Sequence, residues 1–363
     1  MPKLSGNKGE WSEIYVFLRL LEIKKLYAAD ADLEKKNDIF YNIINIIRNE
    51  SIGKLEFRIN KSDDTISVVK TDSGIVLEKL LCSEFKNAAD NLYREIINNK
   101  SSTFESSDTE EFLNSINVGV LKAKSSDKSD IMIKIHDINT GYETVQGFSI
   151  KSRLGSPSTL VNAGKTTNFI FEIKGNISDK TMVEFNNCSD KFKDKFDVLR
   201  SNECDIEYSS MENRVFESNL RLIDGDLPQI CAYMLKEYYS NGINRVKNAI
   251  ELLNKYNPIG YDLTKNHPFY EYKFKKFLSE CALGMIPSKV WDGMADATGG
   301  YIIVREDGEV LCYHLFNRNE FETYLINNTK FETASTTRHE FGSIYKENDN
   351  YYIKLNLQVR FIK

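Results

Sequence analysis

The sequence predicts a mixed α/β (α+β) protein: a mixed sheet flanked by helices, followed by a β-rich C-terminal part. Three observations predict it. Apolar residues recur at helical spacing over 9–23. Two alternating stretches, 130–136 and 145–151, flank the turn sequence DINTG at 137–141. After Pro287 a mainly helical pattern gives way to short alternating strands. A chain of 363 residues fits two domains at roughly 100–200 residues each. The change of pattern puts the boundary near 284–288, with a core carrying helical insertions over 1–283 and the β-rich part over 284–363.

Taken in order, 9–23 (GEWSEIYVFLRLLEI) places Trp11, Ile14, Tyr15, Phe17, Leu18 and Leu21 at helical spacing. Glu10 and Glu13 fall near its start, where the helix dipole favours acids. Residues 31–49 read as a second helix. The alternation of LEFRI and TISVV over 54–70 predicts a hairpin turning at 62–64. Helices follow over 76–98 and 109–116, separated by the polar stretch 101–107. The strands DIMIKIH (130–136) and VQGFSIK (145–151) form a second hairpin. A loop or short helix start over 155–163 leads to the strand NFIFEIK (168–174). From 178 to 283 the pattern is helical, including 227–238 and 243–254. The last part reads as strands, with Asp307 before Gly308 and Asp349 before Asn350 suited to hairpin turns. The hairpin 130–151 and the strand 168–174 are expected in one core sheet, with the helix 9–23 against it.

Composition sets limits on function. Hydrophobic residues make up 41% and charged residues 28% of the chain, enough apolar surface for a real core. The net charge of −5 gives no overall basic signature of a nucleic-acid binder, although a phosphate-binding face needs only a local cluster of Lys and Arg. The six cysteines are scattered without a CxxC pair, so neither a zinc ribbon nor a disulfide framework fits. No apolar run reaches about 18 residues and the N-terminus carries no signal-peptide pattern. A cytoplasmic protein without membrane contact is expected.

The chemistry-bearing candidates centre on the second hairpin. Hydrolysis of a phosphodiester needs carboxylates to hold a divalent cation and a nearby positive charge to stabilise the developing phosphorane. Asp130 opens the first strand, and Ser149 and Lys151 share one face of the second, two residues apart. His136 lies beside the turn as a candidate base or a structural histidine. Candidate nucleic-acid contacts are Lys122 and Lys124 upstream, Arg153 and Ser156 in the following loop, and Arg338 with His339 in the polar STTRH segment between later strands. Arginine is the commonest bidentate reader of guanine. Each of these residues could equally belong to a solvated surface.

The stretches KGEWSEIYVFLRLL (8–21), LYAAD (26–30), SDIMIKIHD (129–137), GFSIKSRLGSPSTLVNA (147–163), NFIFEI (168–173), DGMADATGGYIIVREDGEVLCYHLF (292–316), STTRHEFGSIYKE (335–347) and YIKLNLQVRF (352–361) run in order from end to end. Together they resemble the HpaII family of type II restriction endonucleases. The resemblance implies a restriction-endonuclease-like core with a PD-(D/E)xK site. It implies Mg²⁺-dependent cleavage of double-stranded DNA at a short palindrome, CCGG in the founding member, with Asp130 as a metal ligand and Lys151 as the catalytic cation. It also implies a DNA methyltransferase acting on the same site, and a palindrome is most simply read by a homodimer.

One position departs from the pattern. The acid expected two residues before Lys151 is Ser149, a poor Mg²⁺ ligand, and 152–167 holds no Asp or Glu. Two substitutes remain. Glu13 lies five residues after Lys8 in a K-G-x-x-x-E that resembles helix starts in other nucleases of the superfamily. Glu172 lies on the strand 168–174 beside Lys174. Glu13 ranks first. Ser149 keeps open a cleavage-inactive DNA-binding homologue, and the acidic balance keeps open a structural or partner-binding α/β protein.

Overall fold

The computed structural model describes residues 4–122, 129–138, 140–188 and 191–362. It forms two compact units, one of Met1–Ser158 with Ala295–Tyr324, the other of Thr159–Met294 with Leu325–Ile362. The units are interleaved along the chain, where the sequence pattern suggests a single cut near 284–288. The β-rich C-terminal stretch is shared between them.

In the first unit β1 (Ser5–Asn7) leads into α1 (Lys8–Ile23), then β2 (Lys25–Ala29), β3 (Lys35–Glu50), β4 (Gly53–Asn60), β5 (Thr65–Lys70), β6 (Val76–Leu81), α2 (Cys82–Asn98), β7 (Thr103–Glu105), α3 (Ser107–Ser115), β8 (Ile131–His136) and β9 (Glu143–Ser152). The second unit follows with β10 (Thr159–Val161), β11 (Asn168–Gly175), α4 (Asp179–Asn187), α5 (Phe192–Ser201), β12 (Cys204–Met211), α6 (Arg214–Ile223), α7 (Leu227–Asn241), α8 (Val246–Tyr256) and α9 (Phe269–Leu283). The chain returns to the first unit for β13 (Gly300–Val304) and β14 (Val310–His314) and passes through α10 (Arg318–Asn327). It completes the second with β15 (Thr329–Phe331), α11 (Thr336–His339), β16 (Ile344–Glu347), β17 (Asn350–Asn356) and β18 (Val359–Phe361).

The first unit is built on a nine-stranded sheet in the order β2-β14-β13-β9-β8-β3-β4-β5-β6. An additional β2–β3 pairing closes six of these strands into a mixed barrel, from which β4, β5 and β6 extend. β13 runs parallel to β9 and β14 parallel to β2, while the other pairs are antiparallel. Registry sets Ile131 opposite Phe148 and Tyr301 beside Ser149, so β9 is paired on both edges.

Helix α1 forms where the apolar spacing predicts it. The Asn7 side chain accepts the N–H groups of Gly9 and Glu10 at 2.8 and 3.0 Å, and Glu10 accepts the Asn7 N–H at 2.9 Å, a reciprocal capping box. Lys24 ends the helix in the left-handed region, at φ 59°. Trp11, Ile14, Tyr15, Phe17, Leu18 and Leu21 are all buried, with Phe17 edge-on to Phe57 of β4 at 4.7 Å. Burying such side chains stabilises by about 1.5–3 kcal/mol each.

Several expectations need correction. The segment 31–49 is not a helix but mostly the long strand β3. A register shift between Ile43 and Asn45 in its pairing with β8 breaks the two-residue alternation. Ile43, Ile46 and Ile47 are consequently all buried and imitate helical spacing. The start of 76–98 is the edge strand β6. The helical stretch 178–283 contains the strand β12, and 155–163 includes the three-residue strand β10. The strand 168–174 is β11, which belongs to the second unit's antiparallel sheet β12-β11-β17-β16. The neighbour of β9 opposite β8 is β13, from the C-terminal stretch.

Candidate active site

Asp130 stands just before β8, its N–H donating to the Phe148 carbonyl at 3.0 Å. Its carboxylate reaches across to β9, where Oδ2 accepts the Ile150 N–H at 2.6 Å and the Ser149 hydroxyl at 3.1 Å. The residue standing where an acid is expected therefore orients Asp130. Lys151 follows on the same face of β9, half-buried, with Nζ 5.8 Å from the centre of the Tyr301 ring.

Helix α1 supplies the second carboxyl group. Glu13 is half-buried, and its Oε2 is sealed from solvent with no hydrogen-bond partner among the described residues. Burial first, then the negative charge of Asp130, pushes its carboxyl up to about 8, against the opposing pull of Arg48 and Lys151. Glu13 thus lies within electrostatic reach of both Asp130 and Lys151. Glu10 is engaged differently: a hydrogen bond from Lys122 at 2.8 Å holds its carboxyl below the usual range. Ser12, fully buried beside Glu13, donates to the Lys8 carbonyl at 2.6 Å, and its hydroxyl lies 2.8 Å from that of Ser152 at the end of β9. That contact pins α1 to the strand carrying Lys151.

Two clefts border these groups, both within the first unit. One, of about 860 Å³, is lined by Glu10, Glu13, Lys122, Lys151 and Ser156. The other, of about 450 Å³, is lined by Asp130, Arg48, Lys54, Lys122 and Asp296. Lys122 borders both. No group of three His, Cys, Asp or Glu able to hold a metal ion occurs among the described residues. Asp130 and Glu13 nevertheless suit a hard divalent cation that keeps most of its water. They are oxygen donors, they repel one another, and one has a buried, unpartnered oxygen.

The remaining candidates fall in both units. Glu172 lies on β11 in the second unit, its carboxylate 2.6 Å from Lys174 Nζ. Arg153 donates to the Tyr324 hydroxyl at 3.2 Å and sits 5.8 Å from that ring. Ser156 is exposed at the larger cleft. Lys122 is exposed, and Lys124 lies outside the described residues. Arg338 and His339 belong to the second unit, where STTRH is not an open loop: Ser335 caps the single helical turn α11 by accepting the Arg338 N–H at 3.3 Å. Arg338 is exposed. His136 lies opposite Glu143 at the turn end of the hairpin.

Arg48 and Asp296 escaped the sequence reading. Arg48 lay in the stretch mistaken for a helix, which misplaced its side chain. Asp296 precedes β13, whose pairing with β9 has no local signature.

The HpaII restriction endonuclease family matches residues 7–361. The chain belongs to the HpaII restriction endonuclease family. It is similar over its whole length to the type II restriction enzyme HpaII of Haemophilus parainfluenzae, with 43% identity over 366 residues and 99% of each chain covered. As a member of the HpaII family it is a type II restriction endonuclease. No solved structure matches it. No helix among its described residues is long and apolar enough to cross a membrane.

Proposed function

We propose that this HpaII-family enzyme hydrolyses double-stranded DNA at CCGG, with Mg²⁺ held by Asp130 and Glu13 and with Lys151 as the catalytic cation on a restriction-endonuclease-like core. The observation that carries this reading is the α1 carboxyl group of Glu13, half-buried with a sealed, unpartnered oxygen, within electrostatic reach of both hairpin residues. It supplies the acid that Ser149 lacks.

When bound, Mg²⁺ supplies positive charge that polarises the scissile phosphate and the attacking water. The protein's own groups do the rest. Ser149 and the Ile150 N–H fix the orientation of Asp130. The Lys151 ammonium stabilises negative charge growing on the phosphate oxygens. Glu13 holds a proton in the free enzyme over much of the neutral range and gives it up when a cation is bound beside it. Ser12 and Ser152 keep the helix acid in register with the strand.

Ser156 and Lys122 border the clefts and serve as phosphate contacts, together with Lys124. Arg153 braces the loop through Tyr324 and reaches the backbone at its edge. Arg338 and His339 form the base-reading element in the second unit. A homodimer matches the two-fold symmetry of the palindrome, and a cytoplasmic methyltransferase modifying the same sequence protects the host.

Digestion of a sequenced plasmid with Mg²⁺, and with chelator as control, tests the proposal. Ends mapping to CCGG and absent with chelator are expected. Absence of Mg²⁺-dependent cutting would overturn the catalytic reading, and ends at another sequence would overturn the site assignment alone.

A further inference from the structure

Resting on the nuclease reading, we infer that Arg48 of β3 is a further DNA-contacting residue of the active site, binding a backbone phosphate of the strand being cut. Arg48 lines the same cleft as Asp130, together with Lys54 and Lys122. The carboxylates lining this cleft are Asp130 and Asp296.

The guanidinium is held as a fixed donor. Its Nε donates to Glu50 Oε1 at 2.8 Å, its Nη2 donates to the Val120 carbonyl at 2.7 Å, and the Phe17 ring centre lies 5.1 Å from its central carbon. Glu50 is itself anchored, accepting the Gly119 N–H at 3.0 Å, and its side chain is 1% exposed. The Arg48 side chain is 10% exposed. Two of its three nitrogens are thus committed. Nη1 has no hydrogen-bond partner among the described residues, and it is not among the polar atoms sealed from solvent, so it remains accessible.

A nearly buried guanidinium that keeps one accessible nitrogen unused within the protein presents a fixed donor to an oxyanion. Tethered at two corners, it loses little further freedom when an oxyanion binds the third. A phosphodiester oxygen fits by charge and by geometry. The positive charge also acts on Glu13, where it opposes the effect of Asp130. A surface arginine, held by neither Glu50 nor Val120, would have none of this preorganisation.

The test is binding of a cognate duplex without divalent metal over a series of NaCl concentrations, for wild type, Arg48→Gln and Arg48→Lys. Loss of one phosphate contact lowers the slope of log K against log salt by about 0.9. That decrease is expected for Arg48→Gln, with Arg48→Lys close to wild type. Single-turnover cleavage by Arg48→Gln should fall by about two orders of magnitude. If Arg48→Gln fails to fold, the Arg48→Gln, Glu50→Gln double variant replaces it, since it leaves no buried carboxylate without its cation. An unchanged salt slope in a folded variant overturns the inference, even where cleavage is lost, because Arg48 then acts only through Glu50 and Val120. Wild-type enzyme that neither binds nor cuts DNA would instead overturn the nuclease reading itself.

Discussion

Glu13 carries a proton where an ordinary carboxylate would not. Its usual value is 4.5, and burial, followed by the charge of Asp130, raises it to about 8. For a carboxyl raised in this way, the unfolded chain loses its proton near 4.5 while the folded one keeps it until about 8. The folded state binds more protons across that window, so this group makes stability fall as pH rises through it. Glu13→Gln removes the effect. In metal-free buffer, the urea midpoint of Glu13→Gln should gain on wild type between about pH 4.5 and about pH 8 and level off above it. His314, held down to about 4 mainly by burial, is present in both proteins and cancels from the difference. A gap that does not change with pH would mean that Glu13 ionises normally. The kinetic counterpart follows. Asp130→Asn and Lys151→Ala should each lower cleavage by several orders of magnitude while metal-free binding persists. Glu13→Gln should impair cleavage far more than Glu10→Gln, and Glu172→Gln, already paired with Lys174, should cut close to wild-type rate. Cleavage by either hairpin variant near wild-type rate would show the site to be misplaced.

Among the elements, local signals proved readable and long-range ones did not. The DINTG turn between two alternating runs gave the β8–β9 hairpin, and with it the meeting of Asp130 and Ser149 across the strands. The start of α1 was equally clear, because Asn7 and Glu10 satisfy its first amides. Asn7→Ala should lower stability by about 0.5–2 kcal/mol, measured by denaturant unfolding at fixed pH; no loss would mean that Glu10 and water replace the cap. β3 was misread because its irregular register buries Ile46 and Ile47 together, an apolar doublet that periodicity assigns to a helix. The parallel β9–β13 pair was unreadable for another reason: its partners are about 150 residues apart, and no turn links them. The expectation of β11 beside the hairpin fails for that reason, since β13 occupies the place.

For the molecule as a whole, membership in the HpaII family was legible because matching stretches run from one end to the other. The division into units was not, because compactness depends on contacts between distant segments. Catalytic candidates lie in the first unit, while Arg338 is exposed in the second. Arg338→Ala therefore separates reading from cutting. If Arg338 reads guanine, competition between cognate and single-substituted sites should show a loss of about 1–3 kcal/mol in discrimination. Equal weakening on every sequence would make it a backbone contact instead.

The return of the chain at β13 and β14 also sets an order of events during synthesis. Until Val304 has left the ribosome, β9 has an open edge, and the ring of six strands lacks the two members that close it. Pairing across so long a separation comes late in folding. A nascent or prematurely terminated chain therefore carries Asp130, Ser149 and Lys151 in an unfinished barrel. The candidate site residues on β9 thus gain their second strand neighbour only after about 150 further residues have been made.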